Sequence, residues 1–167
     1  EYSMAIITLN NNSLSSVTSL PAAISTGKVL QVVQASHAGQ VQNTTTTYAD
    51  TGLSVSITPS STSSKILISL SQKFMIALGT TDRDSPNQRL LRDSTAIWTD
   101  DNFYTQTTGV SSELAFYVPI NYLDSPSTTS AITYKTQFSL GSTATNKYIL
   151  ANQGNQPSTI TALEIET

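Results

Sequence analysis

The chain has 167 residues and a net charge of -3, and only 11% of its residues are charged, against about 25% in an average domain. It has no cysteine, which excludes disulfides and thiolate metal sites. Its eight Lys and Arg are scattered, which argues against the phosphate neutralisation that dominates nucleic-acid affinity, and no apolar stretch of about 18 residues offers a membrane-spanning helix.

Residues 1–26 lead the chain. Residues 5–9 (AIITL) are a short apolar run, broken by Asn10, Asn11 and Asn12. Leu14, Val17 and Leu20 follow three apart, but Ser and Thr dominate and Pro21 closes the segment. An extended arm fits better than a helix there. Its apolar residues Ile6, Ile7, Leu9, Leu14, Val17 and Leu20 are the candidates for attachment to a partner, with a solvated terminus as the alternative.

Gly27 opens a domain that runs to residue 167. Residues 28–35 (KVLQVVQA) predict a first strand and the Thr-rich residues 41–48 a second. Asp50-Thr51-Gly52 predicts a turn. Residues 48–78 then carry the clearest pattern in the chain. Leu53, Val55 and Ile57 alternate with Ser54, Ser56 and Thr58. After Pro59 and a Ser/Thr-rich break, Ile66, Ile68, Leu70, Phe74, Ile76 and Leu78 share one parity that only Gln72 interrupts. Period-two alternation places these residues on two half-buried strands, read as a hairpin with a polar turn. The interruption at Gln72–Lys73 predicts a bend or bulge.

Residues 79–88 (GTTDRDSPNQ) read as a loop. Residues 89–98 return to strand character, Asp100-Asp101-Asn102 turn the chain, and 103–107 predict a brief pairing. Leu114, Phe116, Val118 and Ile120 share one face, as do Ile132, Tyr134, Thr136, Phe138 and Leu140. Residues 146–150 and 159–166 complete the set. Eight to ten short strands with frequent turns and no amphipathic helix predict an all-β fold, an antiparallel β-sandwich or jelly roll. Phe74, Phe116 and Phe138 are the expected core aromatics.

No catalytic constellation stands out. His37 is the only histidine, no G-x-S-x-G elbow accompanies it, and an exposed polar residue is expected. Asp82 and Asp84 flank Arg83, and Asp100 adjoins Asp101. Such pairs could serve glycosidic hydrolysis or bind Ca²⁺, but Asp and Asn are ordinary turn formers and Arg83 neutralises its neighbours. Asp124-Ser125-Pro126 predicts a turn whose carboxylate holds backbone amides. Trp98, Phe103, Tyr104 and Tyr122 offer either a sugar-stacking patch or packing. No catalytic residue, metal or cofactor is expected.

Several phrases resemble virion structural and tail-fibre-type proteins of tailed bacteriophages, especially those of aquatic hosts. These are TTTTYADTGLSVSITPSSTSSKILISLS (44–71), YLDSPSTTSAITYKTQF (122–138), ITALEIE (160–166) and the leader MAIITLNNNSLSSVTSLP with GKVLQVV. The resemblance implies a trimeric β-rich head, of the size of C1q- and TNF-type heads, with residues 1–26 fixed to other virion proteins on the particle exterior. It points to a non-enzymatic structural protein, while the scattered Lys and Arg and the lack of a long apolar stretch predict no nucleic-acid partner and no membrane insertion. A receptor, such as a host surface glycan, would meet the loops carrying Asp82, Arg83, Asp84, Trp98, Asp100, Asp101, Phe103 and Tyr104. A short fibre, a capsid decoration (cement) protein and a carbohydrate-binding module remain open as functions.

Overall fold

A computed structural model describes residues 28–78, 86–101, 112–143 and 146–166. The arm residues Ile6, Ile7, Leu9, Leu14, Val17 and Leu20, the loop residues Asp82, Arg83 and Asp84, and Phe103 and Tyr104 lie outside the described residues.

Ten strands are present among the described residues: β1 (Val29–His37), β2 (Val41–Asn43), β3 (Ala49–Ile57), β4 (Lys65–Leu78), β5 (Asn87–Arg92), β6 (Thr95–Asp100), β7 (Ser112–Asp124), β8 (Ile132–Ser139), β9 (Tyr148–Ala151) and β10 (Ser158–Ile165). They form the antiparallel β-sandwich that the alternation predicts. One sheet runs β1-β10-β4-β9-β2, with β7 on the other side of β4; the second runs β3-β8-β5-β6.

The expected hairpin is not one. β3 pairs with β8, while β4 pairs with β10, β7 and β9. The Ser/Thr-rich turn therefore carries the chain from one sheet to the other, and the apolar sides of β3 and β4 face each other across the core. The true local hairpin is β5–β6, with Arg92 opposite Thr95 and Asp93 in the left-handed region at φ 53. Two further expectations change. Residues 44–48 are not strand: the Asn43 side chain donates to the Thr47 carbonyl and accepts from the Thr45 amide and hydroxyl, so local side-chain bonds replace the ladder. Asp50-Thr51-Gly52 is not a turn but part of β3. Its pairing with β8 shifts between Asp50 and Ser54, and Gly52 takes φ +87 to make that bulge.

The main core holds Leu53, Val55, Ile57, Ile66, Ile68, Leu70, Leu90, Ile132 and Tyr134. A second cluster holds Phe74, Ile76, Phe138 and Ile149, with Phe116 packed against it. Phe74 lies 5.6 Å from Phe138 and 6.3 Å from Phe116 between ring centres, so the three expected aromatics do meet. Between the two clusters, at the inward positions that separate them, sit buried Gln72 on β4, Thr136 on β8 and Thr51 on β3.

This polar layer explains the interruption at Gln72. β4 holds an unbroken register with β7 from Ile66 to Leu78, so the predicted bulge is absent. What changes is its other edge, which pairs with β10 up to Ser71 and with β9 from Phe74. In the gap, the Lys73 amide donates to the Ser158 hydroxyl and the Asn152 amide donates to the Lys73 carbonyl. Gln72 donates to Asn152 Oδ1 and Ser158 Oγ and accepts from the Thr136 hydroxyl. A buried amide is tolerated when its bonds are made.

Candidate interaction surfaces

Side-chain alternation and strand register together set transverse rows of residues on the outside of each sheet, and one row on each stands out. On the second sheet that row is Asp50, Gln137, Arg89 and Thr99, one residue from each of its four strands. Lys135 and Gln137 donate to the two oxygens of Asp50, at 3.1 and 2.6 Å. Arg89 donates to Gln137 Oε1. Its guanidinium lies 3.9 Å above the Tyr48 ring, and the Tyr48 hydroxyl donates to Asp101 at 2.9 Å. Burial, then this bond to Asp101, pushes the Tyr48 phenol up to about 12. Burial would raise the Asp50 carboxyl, but the bonds from Gln137 and Lys135 outweigh it and hold it below its ordinary value.

Asp101 thus joins this row, whereas Asp100 stands opposite Gln88 on β5. Trp98 stands opposite Leu90 and packs with Tyr122 against the main core. Tyr48, Asp50, Arg89 and Gln137 were not among the candidate residues. They lie on separate stretches, and nothing but the β3-β8-β5 order brings them together.

The first sheet carries the opposite chemistry. Val32 pairs with Leu163, Leu163 with Leu67, and Leu67 with Leu123. Four aliphatic side chains, one each from β1, β10, β4 and β7, therefore line up on the solvent face. Val32 is 58% exposed and Leu123 52%. Val29 and Leu30 extend the row at its β1 end and are also exposed. The next row is polar: Gln34, Thr161, Ser69 and Asn121. Farther along, the Lys73 ammonium sits 4.6 Å above the Tyr117 ring.

Two buried carboxylates, Asp124 and Glu164, serve the fold. Asp124 ends β7 buried, with both oxygens 2.9 Å from Arg92 Nη1 and a 2.7 Å bond from the Tyr134 hydroxyl. The turn role expected for Asp124 gives way to this pairing, because β7 runs through to it. Burial, and then its bond to Asp124, raise the Tyr134 phenol well above its ordinary value. Glu164 is buried and accepts from Gln31, the Ser60 amide and the Ser60 hydroxyl, at 2.6–2.7 Å. The serine turn thus wraps a carboxylate. His37 is half-buried, not exposed, and its imidazole lies against Gly39 and Gly52. Gln88 is buried with neither amide atom bonded, and nothing in the structure explains it. Among the described residues no cluster of three or more His, Asp or Glu could hold a metal, and no helix is long and apolar enough to cross a membrane.

No protein-family model and no curated protein matches the chain. Among solved structures, it is similar to a chain of the T13 viral particle of infectious bursal disease virus, at 11% identity and a TM-score of 0.40, covering 97% of this chain and 41% of that one. It is also similar to VP2 in the subviral particle of the same virus, at 14% identity and a TM-score of 0.38, covering 81% and 39%. The chain spans about two fifths of the length of these structures.

Proposed function

We propose that this chain is a non-enzymatic structural protein of a tailed-bacteriophage virion, a short trimeric fibre on the particle exterior anchored by residues 1–26. One observation carries the reading. The phage-like phrases at 44–71, 122–138 and 160–166 fall on the strands that build the main core, β3, β4, β8 and β10, so the resemblance covers the framework of the fold and not an isolated loop. The surfaces support a binding role. In the polar row, the carboxylates of Asp50 and Asp101 are held by donors on neighbouring strands. A surface with few charges also depends little on salt screening, and trimer contacts can form on it without desolvating ions.

A capsid decoration protein is the second reading within this class. Binding of the purified chain to host cells supports the fibre; binding to capsids alone supports decoration. Binding to neither, or release of sugar from a polysaccharide, overturns the proposal. Glycan binding by a monomer, abolished by Trp98→Ala, would instead identify a carbohydrate-binding module.

A further inference from the structure

The aliphatic row on the first sheet is four strands long and one residue wide. Adjacent strands stand about 4.8 Å apart, so Val32 to Leu123 spans about 14 Å, the length of about five extended residues. With Val29 and Leu30 the strip is on the order of the few hundred Å² that marks a binding patch. It falls short of the roughly 800 Å² that each partner gives to a stable protein–protein interface. Its dimensions suit a peptide segment better than the face of a second subunit.

The chain contains such a segment. Residues 4–27 hold no Asp, Glu, Lys or Arg, which matches a strip built only of aliphatic side chains. In extended backbone Ala5, Ile7 and Leu9 fall on one side, giving an apolar edge of the required length. In sequence the segment runs directly into β1, whose first residues Val29 and Leu30 are the exposed end of the strip. Residues 10–27 can span up to about 59 Å, ample for the run to fold back. Tethering so close gives a millimolar-range effective concentration, which favours the chain's own segment over one from another copy.

We propose that residues 5–9 of the chain dock on the strip formed by Val32, Leu163, Leu67 and Leu123 in the same molecule. The inference concerns the free protein and stands apart from the virion reading. Because the chain has no cysteine, Val32→Cys introduces a unique thiol in the strip at an exposed position. Its labelling by N-ethylmaleimide is compared in the full chain with and without Ile7→Asp and Leu9→Asp. Ser54→Cys, on an exposed position of β3 in the other sheet, is the control. Docking predicts that the native segment slows labelling of Cys at 32 about tenfold, equivalent to about 1.4 kcal/mol, at every protein concentration and without effect at 54. Equal rates at 32 with both segments overturn the proposal. Slowing that grows with protein concentration also overturns it, as does slowing that disappears when the Val32→Cys chain is co-refolded with an excess of chain carrying Ile7→Asp and Leu9→Asp, since a second copy would then cover the strip. A parallel change at 54 overturns it as well, because the aspartates would then act on the whole fold.

Discussion

Gln72 on β4 donates a 2.9 Å hydrogen bond to Asn152, the left-handed residue that follows β9. Asn152 in turn donates to the carbonyls of Gly39 and Thr51, and Thr51 bonds Thr136 at 2.6 Å. One amide pair thus ties both sheets together at the point where β4 exchanges one neighbour for another. Gln72→Leu, although more apolar, removes three bonds and leaves buried groups short of partners. It should lower stability by about 1–3 kcal/mol, seen as a fall in the urea midpoint. An unchanged or higher midpoint would show that the polar layer contributes nothing.

The Arg92–Asp124–Tyr134 cluster makes a different prediction. Breaking a fully buried ion pair costs about 3–5 kcal/mol because a charge is left behind. Arg92 is 28% exposed and Asp124 only 7%, so water offsets part of the loss. Arg92→Met should therefore cost about 2–3 kcal/mol, and the double variant Arg92→Met/Asp124→Asn should recover much of it. Urea unfolding of the set checks this.

Gly52 and Gly154 both have positive φ, at +87 and +68, yet their surroundings differ. A Cβ at Gly154 meets nothing within 4 Å, whereas one at Gly52 would collide with the His37 ring at Nε2. Gly154→Ala should cost about 1 kcal/mol for the left-handed backbone. Gly52→Ala should cost about 2–4 kcal/mol, since the ring must also move. In a His37→Ala background the Gly52 penalty should fall towards the Gly154 value. A penalty independent of residue 37 would assign the whole effect to the backbone.

Acid should loosen the fold through Glu164. Burial alone would raise its pKa, but hydrogen bonds from Ser60, Gln31 and Ser64 bring it from 4.5 to about 2. A folded pKa below the unfolded one gives stability that is full above about pH 4.5 and is lost as pH falls towards 2. Glu164→Gln should flatten the stability profile across that window and lower stability at neutral pH. A wild-type profile with no slope between pH 5 and 2 contradicts the assignment.

Much of the framework was legible because period-two alternation reports burial directly. The inward sides of β3, β4 and β8 and the placement of Phe74 and Phe138 followed from it. Pairing did not. A hairpin and a crossing between sheets leave the same alternation around the same polar turn, and only long-range register separates them. Asp-Thr-Gly at 50–52 and Asp-Ser-Pro at 124–126 both carry turn-forming residues. Yet one is a bulge inside β3, and the other begins with a buried ion-pair partner. The two surface rows were hidden for the same reason. Val32, Leu67, Leu123 and Leu163 are each ordinary outward residues until four strands align them, and Asp50, Gln137 and Arg89 meet only across β3, β8 and β5.

The proposed role makes this sandwich one subunit of a trimeric particle component. Sedimentation equilibrium of the full chain at micromolar concentration tests it most directly. A trimeric fibre should give one species with the mass of three chains of 17.9 kDa, unchanged on moderate dilution and by salt. A clean single-chain mass across the same range contradicts it.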